Sequence, residues 1–133
     1  MTADELYQEI ILDHYRHPHN YGILEDKNAE ASDVNPLCGD AVSMTLKING
    51  NAVKDIRFSG AGCAISQAAA SMLTDAVKSK TIEEVKNLSR DDVTNMLGGM
   101  QLGHVRIKCA MLPLKVLKMA VYSYYGKKFE EEL

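Results

Sequence analysis

The strongest constraint on the fold lies between residues 42 and 58. Val42, Met44, Leu46 and Ile48 alternate with Ser43, Thr45 and Lys47, the period-two pattern of a half-buried strand. Asn49-Gly50 is a hairpin signal, and Ile56 and Phe58 then alternate with Asp55 and Arg57. The stretch predicts an antiparallel hairpin. A turn centred near Asn49-Gly50 sets Asp40 across from Ser59 and Gly60, and the chain reaches Cys63 a few residues later. Cys38, Asp40 and Cys63 therefore emerge at one end of the sheet through local pairing alone.

Helical patterns surround this hairpin. Thr2 and Glu5 form a capping box that starts a helix at Ala3 or Asp4. Leu6, Tyr7, Ile10, Ile11 and His14 give it one apolar face, and Pro18 ends it. Residues 22–30 read as a loop, with a short edge strand around Ala31–Val34. Ser59-Gly60-Ala61-Gly62 reads as a flexible exit from the hairpin. Ile65, Ala68, Ala69, Met72, Leu73, Ala76 and Val77 describe an amphipathic helix with Cys63 at its N-terminus, where the macrodipole favours a thiolate. The small run Ala68-Ala69-Ala70-Ser71 suits close packing on the sheet. Thr81-x-x-Glu84 and Ser89-x-x-Asp92 cap two short helices within Ile82–Leu97. After a loop over 97–104, a final helix carries Val105, Cys109, Leu112, Val116, Met119 and Ala120 to about Tyr124, with a kink or restart near Met111–Pro113. Cys109 falls in or near its first turn, beside Arg106 and Lys108, so dipole and charges should lower its thiol pKa. The end, Lys127-Lys128-Phe129-Glu130-Glu131-Glu132, reads as a solvated charged tail.

With 133 residues, the chain has enough for one domain, 1–133, and not for two. A net charge of −3 without a basic, aromatic-laced stripe argues against nucleic-acid binding. No apolar run reaches the roughly 20 residues that span a bilayer, and no signal-peptide pattern opens the chain. The expected compartment is cytoplasmic. Cys38, Cys63 and Cys109 are the only cysteines, and an odd number in a reducing compartment makes a disulfide framework a poor explanation.

The chemistry centres on Asn35-Pro36-Leu37-Cys38-Gly39-Asp40, which sets a soft sulfur donor and a hard oxygen donor two residues apart in a turn. A surface Asx-type turn with an incidental buried thiol is the plain alternative. Against it stand the flanks of the other thiols: Gly60-Ala61-Gly62 precedes Cys63, and Arg106 and Lys108 flank Cys109. Such turns and basic neighbours are not core surroundings. His14, His17 and His19 offer a second metal-like cluster, better explained as a solvated helix end because no thiol or carboxylate supports it.

Asn-Pro-Leu-Cys-Gly-Asp, Gly-Ala-Gly-Cys-Ala-Ile-Ser and Arg-Ile-Lys-Cys-Ala-Met-Leu-Pro, in that order, resemble the U-type iron–sulfur cluster assembly family of IscU, SufU and the N-terminal domain of NifU. The resemblance covers nearly the whole chain, including the opening Glu-Leu-Tyr-Gln-Glu-Ile-Ile-Leu-Asp-His-Tyr. It implies an α+β fold in which a three-stranded antiparallel sheet is packed with helices. By similarity Cys38, Cys63 and Cys109 are cluster ligands, and Asp40 is a ligand or governs cluster release. The implied function is a scaffold rather than an enzyme. It would take persulfide sulfur from a pyridoxal-phosphate cysteine desulfurase, with Cys109 as candidate acceptor, and iron from a donor. It would build a transient [2Fe-2S] cluster and pass it to apoproteins; self-association is allowed. All four candidate ligands are expected to converge at an exposed end of the sheet.

Two departures open an alternative. The IscU branch commonly has histidine before the third cysteine, where this chain has Lys108, a poor ligand while protonated. That lysine resembles the SufU branch, whose zinc-bound members relay sulfur, so Zn2+ in the same site and a sulfurtransferase role is the second reading. The SufU branch also carries an insertion between the second and third cysteines that is lacking here. Finally, the Leu-Pro-Pro-Val-Lys chaperone motif appears only as Leu102-Gly103-His104-Val105-Arg106, which puts an Hsp70-type partner in doubt. Three thiolates and one oxygen hold a cluster less firmly than four thiolates, which suits a scaffold that gives its cluster away, and the same set suits tetrahedral zinc.

Overall fold

A computed structural model of the chain describes residues 2–36, 39–99 and 102–126. Cys38 and the charged tail lie outside the described residues. The elements run α1 (Ala3–Arg16), β1 (Ala29–Asn35), β2 (Asp40–Asn49), β3 (Ala52–Ala61), α2 (Ala64–Val77), α3 (Ile82–Lys86), α4 (Arg90–Met96) and α5 (His104–Tyr124). The three strands form an antiparallel meander in the order β1-β2-β3, so the fold is α+β as expected.

Alternation dictates which face of the sheet is covered. Val42, Met44, Leu46 and Ile48 of β2, with Val53, Ile56 and Phe58 of β3, are all at most 2% exposed. They face α2 and α5, whose Ala68, Ala70, Leu73, Leu114 and Leu117 complete one core. Burying a Val, Leu, Ile or Phe side chain is worth about 1.5–3 kcal/mol, so a one-residue slip that turned this face to water would be prohibitive. The small run on α2 packs as expected: Ala68, Ala69, Ala70 and Ser71 are all buried. α5 continues through Pro113 as a single helix, rather than restarting there.

The register differs from the sequence expectation in a way that moves the site. The hairpin loop is Gly50-Asn51, and β3 carries a bulge, since Lys47 pairs with Asp55 while Ile48 pairs with Val53. Both features shift the partners of β2 towards the C-terminus of β3. Ala41 pairs with Ala61 and Val42 with Gly60, so Asp40 lies level with Gly62 and not with Ser59 or Gly60. Ser59-Gly60-Ala61 is accordingly strand and not a flexible exit. On the far edge, Asn20 and Gly22 exchange backbone hydrogen bonds with Phe58 at 2.9 and 2.8 Å, which ties the α1–β1 connection to β3.

Candidate metal centre

Three chain segments meet where β2 begins. Asp40 is its first residue, paired with Asn35 of β1, and the Gly39 amide closes the preceding turn by donating to the Asn35 carbonyl at 2.9 Å. The extra residue of the β3 bulge delivers Gly62 and Cys63 directly against Asp40. Gly62 adopts φ +143°, and a Cβ there would stand 2.1 Å from Asp40 Oδ1. Only glycine leaves room for the carboxylate at this point.

Cys63 is the N-cap of α2, and its Sγ accepts the Ser66 amide hydrogen at 3.5 Å. N-caps are normally Ser, Thr, Asp or Asn, because an oxygen satisfies the orphan amides far better than sulfur does. A thiol in this position gives up some capping strength, which a purely structural residue would not need to do. Asp40 supplies what the sulfur lacks: its Oδ1 accepts the Cys63 amide at 2.7 Å, while its Oδ2 takes the Cys63 thiol at 3.7 Å. Behind them, buried Ser66 donates to the Cys63 carbonyl at 3.2 Å and receives the Gln67 side-chain amide at 3.2 Å. Sequence reading did not single out Ser66 or Gln67; their only signal is two polar residues on an otherwise apolar helix face.

Cys109 comes from α5, which packs against both α2 and the sheet. One ligand-type atom from each of Asp40, Cys63 and Cys109 lies within 4.8 Å of the others. Three of the four expected residues are thus together, and the fourth, Cys38, falls outside the described residues. Cys109 is the sixth residue of α5, just past its first turn, as expected. One expectation requires correction: Cys109 is 1% exposed, and Asp40 is 0% exposed. The site is therefore a buried junction with Cys63 as its partly exposed member, and not an open end of the sheet. The cations expected to favour a thiolate at Cys109, Arg106 and Lys108, are exposed; the sulfur itself lies near a carboxylate.

The donor set fits a metal ion. Tetrahedral zinc, with Zn–S of about 2.3 Å and Zn–O of about 2.1 Å, sets its ligand atoms about 3.5–3.8 Å apart. The Cys63–Asp40 separation of 3.7 Å already has that value. Two soft sulfurs and one hard oxygen suit zinc or iron rather than magnesium or calcium.

The histidine cluster is not a second such centre. His14 Nδ1 lies 2.7 Å from Ser71 Oγ, the His19 amide donates to the same oxygen at 2.8 Å, and His19 Nδ1 pairs with Asp75 Oδ2 at 2.5 Å. Instead of a solvated helix end, these residues lock the end of α1 onto α2. Burial, and next the neighbouring His19, hold His14 below the ordinary histidine pKa of 6.5. His17 is exposed.

Comparison with known proteins agrees with this geometry. A sequence model of the NifU-like N terminal domain matches residues 6–131. This chain belongs to that family. It is 39% identical to the zinc-dependent sulfurtransferase SufU of Bacillus subtilis, covering 94% of this chain and 95% of that protein. It is 40% identical to the iron–sulfur cluster assembly scaffold protein IscU of Aquifex aeolicus, covering 92% and 78%. A solved structure of a putative scaffold protein for the SUF system from Fervidobacterium islandicum superposes with a TM-score of 0.73 at 27% identity, covering 88% of this chain and 97% of that one. Aligning the Bacillus protein takes 141 positions for 94% of this 133-residue chain, which requires gaps here. The Aquifex scaffold aligns over 124 positions. No helix among the described residues is long and apolar enough to cross a membrane.

Proposed function

We propose that this chain, as a single domain over 1–133, is a scaffold on which an iron–sulfur cluster is assembled and from which it is handed on. The observation that carries the reading is the convergence of Asp40, Cys63 and Cys109 from three separate segments. Cys38, two residues before Asp40, completes the set as the fourth ligand. The cluster is cargo: three thiolates and one carboxylate bind it, and the oxygen position leaves it exchangeable. The compact alignment with the Aquifex scaffold favours this reading over one built on an inserted SufU-type chain.

The sulfur source is a pyridoxal-phosphate cysteine desulfurase. A scaffold thiolate attacks the terminal sulfur of the desulfurase persulfide, the old S–S bond breaks, and the desulfurase cysteine leaves as thiolate. Cys109 is the acceptor proposed from the family resemblance. Its burial means that the elements covering it must part before sulfur can arrive, so of the two described thiols Cys63 is met first. The reading puts the protein in the cytoplasm, since thiols that serve as ligands need a reducing compartment, with iron donors and apoproteins as the other partners.

The second reading is a zinc-dependent sulfurtransferase, favoured by the SufU relative and by Lys108 in place of a histidine. Bound at Cys38, Asp40, Cys63 and Cys109, zinc would keep the thiols ionised and reactive towards sulfur. The test is anaerobic assembly with a cysteine desulfurase, L-cysteine and ferrous iron, followed by transfer to an apo-ferredoxin. A scaffold yields holo-ferredoxin and Cys63→Ser abolishes it. Stimulated desulfurase turnover with no cluster delivered would select the zinc reading.

A further inference from the structure

Beside the thiol site lies a pocket of about 500 Å3 that the proposed ligand set does not use. Its walls are the two segments that carry site cysteines. Asn35 and Pro36 lead to Cys38, and Lys108 and Met111 bracket Cys109. Buried Met111 and Leu112 are apolar lining, and Val34, 61% exposed, forms part of the rim. Its charged lining is basic, Arg90 from α4 with Lys108 and Lys115 along α5, and His104 adds an imidazole. Lys115 is paired with Asp33 at 2.8 Å. Among the described residues Arg90 and Lys108 have no ion-pair partner, and both are exposed. This in a chain of net charge −3 is a local reversal of sign.

We infer that this pocket receives an acidic segment of a partner protein, carrying an apolar side chain for the Met111–Leu112 floor and carboxylates for Arg90 and Lys108. The inference rests on the adjacent thiols being the working site. Length decides for a peptide over a small acid. His104 to Lys115 spans about 16 Å of helix at 1.5 Å per residue, the run of about five extended residues at 3.3 Å each. An occupant here would sit between the wall leading to Cys38 and the wall holding Cys109, so docking and access to the thiols are adjacent events.

The test uses the full chain and fluorescein-labelled Glu-Glu-Leu-Glu-Leu, read by fluorescence anisotropy at low salt. Binding should weaken at least about tenfold in Arg90→Glu/Lys108→Glu and to a similar degree in high salt, where exposed charges are screened. The Gln-Gln-Leu-Gln-Leu peptide should bind at least about tenfold more weakly. Both substituted positions are exposed, and glutamate suits the first turn of α4, so thermal unfolding of the metal-free protein should be unchanged. The milder Arg90→Gln/Lys108→Gln variant should lie between. Binding indifferent to these charges, or no binding, overturns the inference, whatever the metal site holds. Full displacement by an equal concentration of glutarate overturns the peptide assignment. Tighter binding of a Lys-Lys-Phe-Glu-Glu-Glu-Leu peptide would overturn the partner-protein assignment and give the pocket to the acidic end of this chain instead.

Discussion

Gly62→Ala should damage the site more than its size suggests. The new Cβ would stand 2.1 Å from Asp40 Oδ1, 2.8 Å from its Cγ and 2.9 Å from its Cα, on a backbone at φ +143°. Holding a non-glycine residue in such a conformation costs about 1–3 kcal/mol. Moving the carboxylate breaks its 2.7 Å bond to the Cys63 amide, and hydrogen bonds to charged groups are worth about 1.5–3 kcal/mol. The combined loss is about 3–5 kcal/mol, a large part of the 5–15 kcal/mol typical of a domain. Zinc affinity should fall as well, by about 10–100-fold, the usual effect of disturbing a ligand's support. Urea unfolding of the metal-free protein and competition with a chromophoric chelator measure the two quantities. Gly60→Ala is the control: its Cβ would meet the Ala41 carbonyl oxygen at 2.1 Å, and its nearest neighbours belong to Ala41 and Val42 rather than to the Asp40 carboxylate. It should cost stability while keeping metal affinity in the protein that remains folded. A Gly62→Ala protein as stable as the parent, with undiminished zinc affinity, would refute the reasoning.

In the metal-free protein, iodoacetamide should alkylate Cys63 at least tenfold faster than Cys109, which is 1% exposed; peptide mass spectrometry over time reads this, and equal rates would mean the junction opens freely. Asp40→Ala should slow cluster transfer to an apo-ferredoxin, because the exchangeable oxygen is gone, at about 2 kcal/mol of stability for the lost support of Cys63; equal or faster transfer counts against Asp40 as the labile ligand. His14, held below 6.5 mainly by burial, contributes stability that is complete above its unfolded pKa and is lost as pH falls through the lower folded one. Urea midpoints at pH 7.5 and 5.5 should therefore drop further in the parent than in His14→Gln, and parallel drops would dismiss that role.

The fold was legible because its signals are local. Alternation around Asn49-Gly50 marked β2 and β3, and Thr2, Thr81 and Ser89 each cap the helix that they announce. Asp40 and Cys63 were brought together by pairing within one hairpin. The register was misplaced because the loop is Gly50-Asn51 rather than Asn49-Gly50, and because a bulge opposite Lys47 has no strong residue signal. Cys109 was drawn towards the surface by exposed sequence neighbours, although a helix sends adjacent residues to different faces. Its burial follows from packing between α5 and the sheet, a long-range fact. Likewise the partners of His14 and His19 lie more than fifty residues away on α2, beyond what spacing along α1 could reveal.

The central claim is that Asp40, Cys63 and Cys109, with Cys38, hold an iron–sulfur cluster. Anaerobic reconstitution with ferrous iron and sulfide, followed by iron and acid-labile sulfide analysis and a visible spectrum, tests it most directly. The account predicts iron and sulfide in equal amounts with sulfur-to-iron charge-transfer bands, both lost in Cys63→Ser and in Cys109→Ser. Zinc retained with neither iron nor sulfide, or a cluster that survives both substitutions, would contradict it.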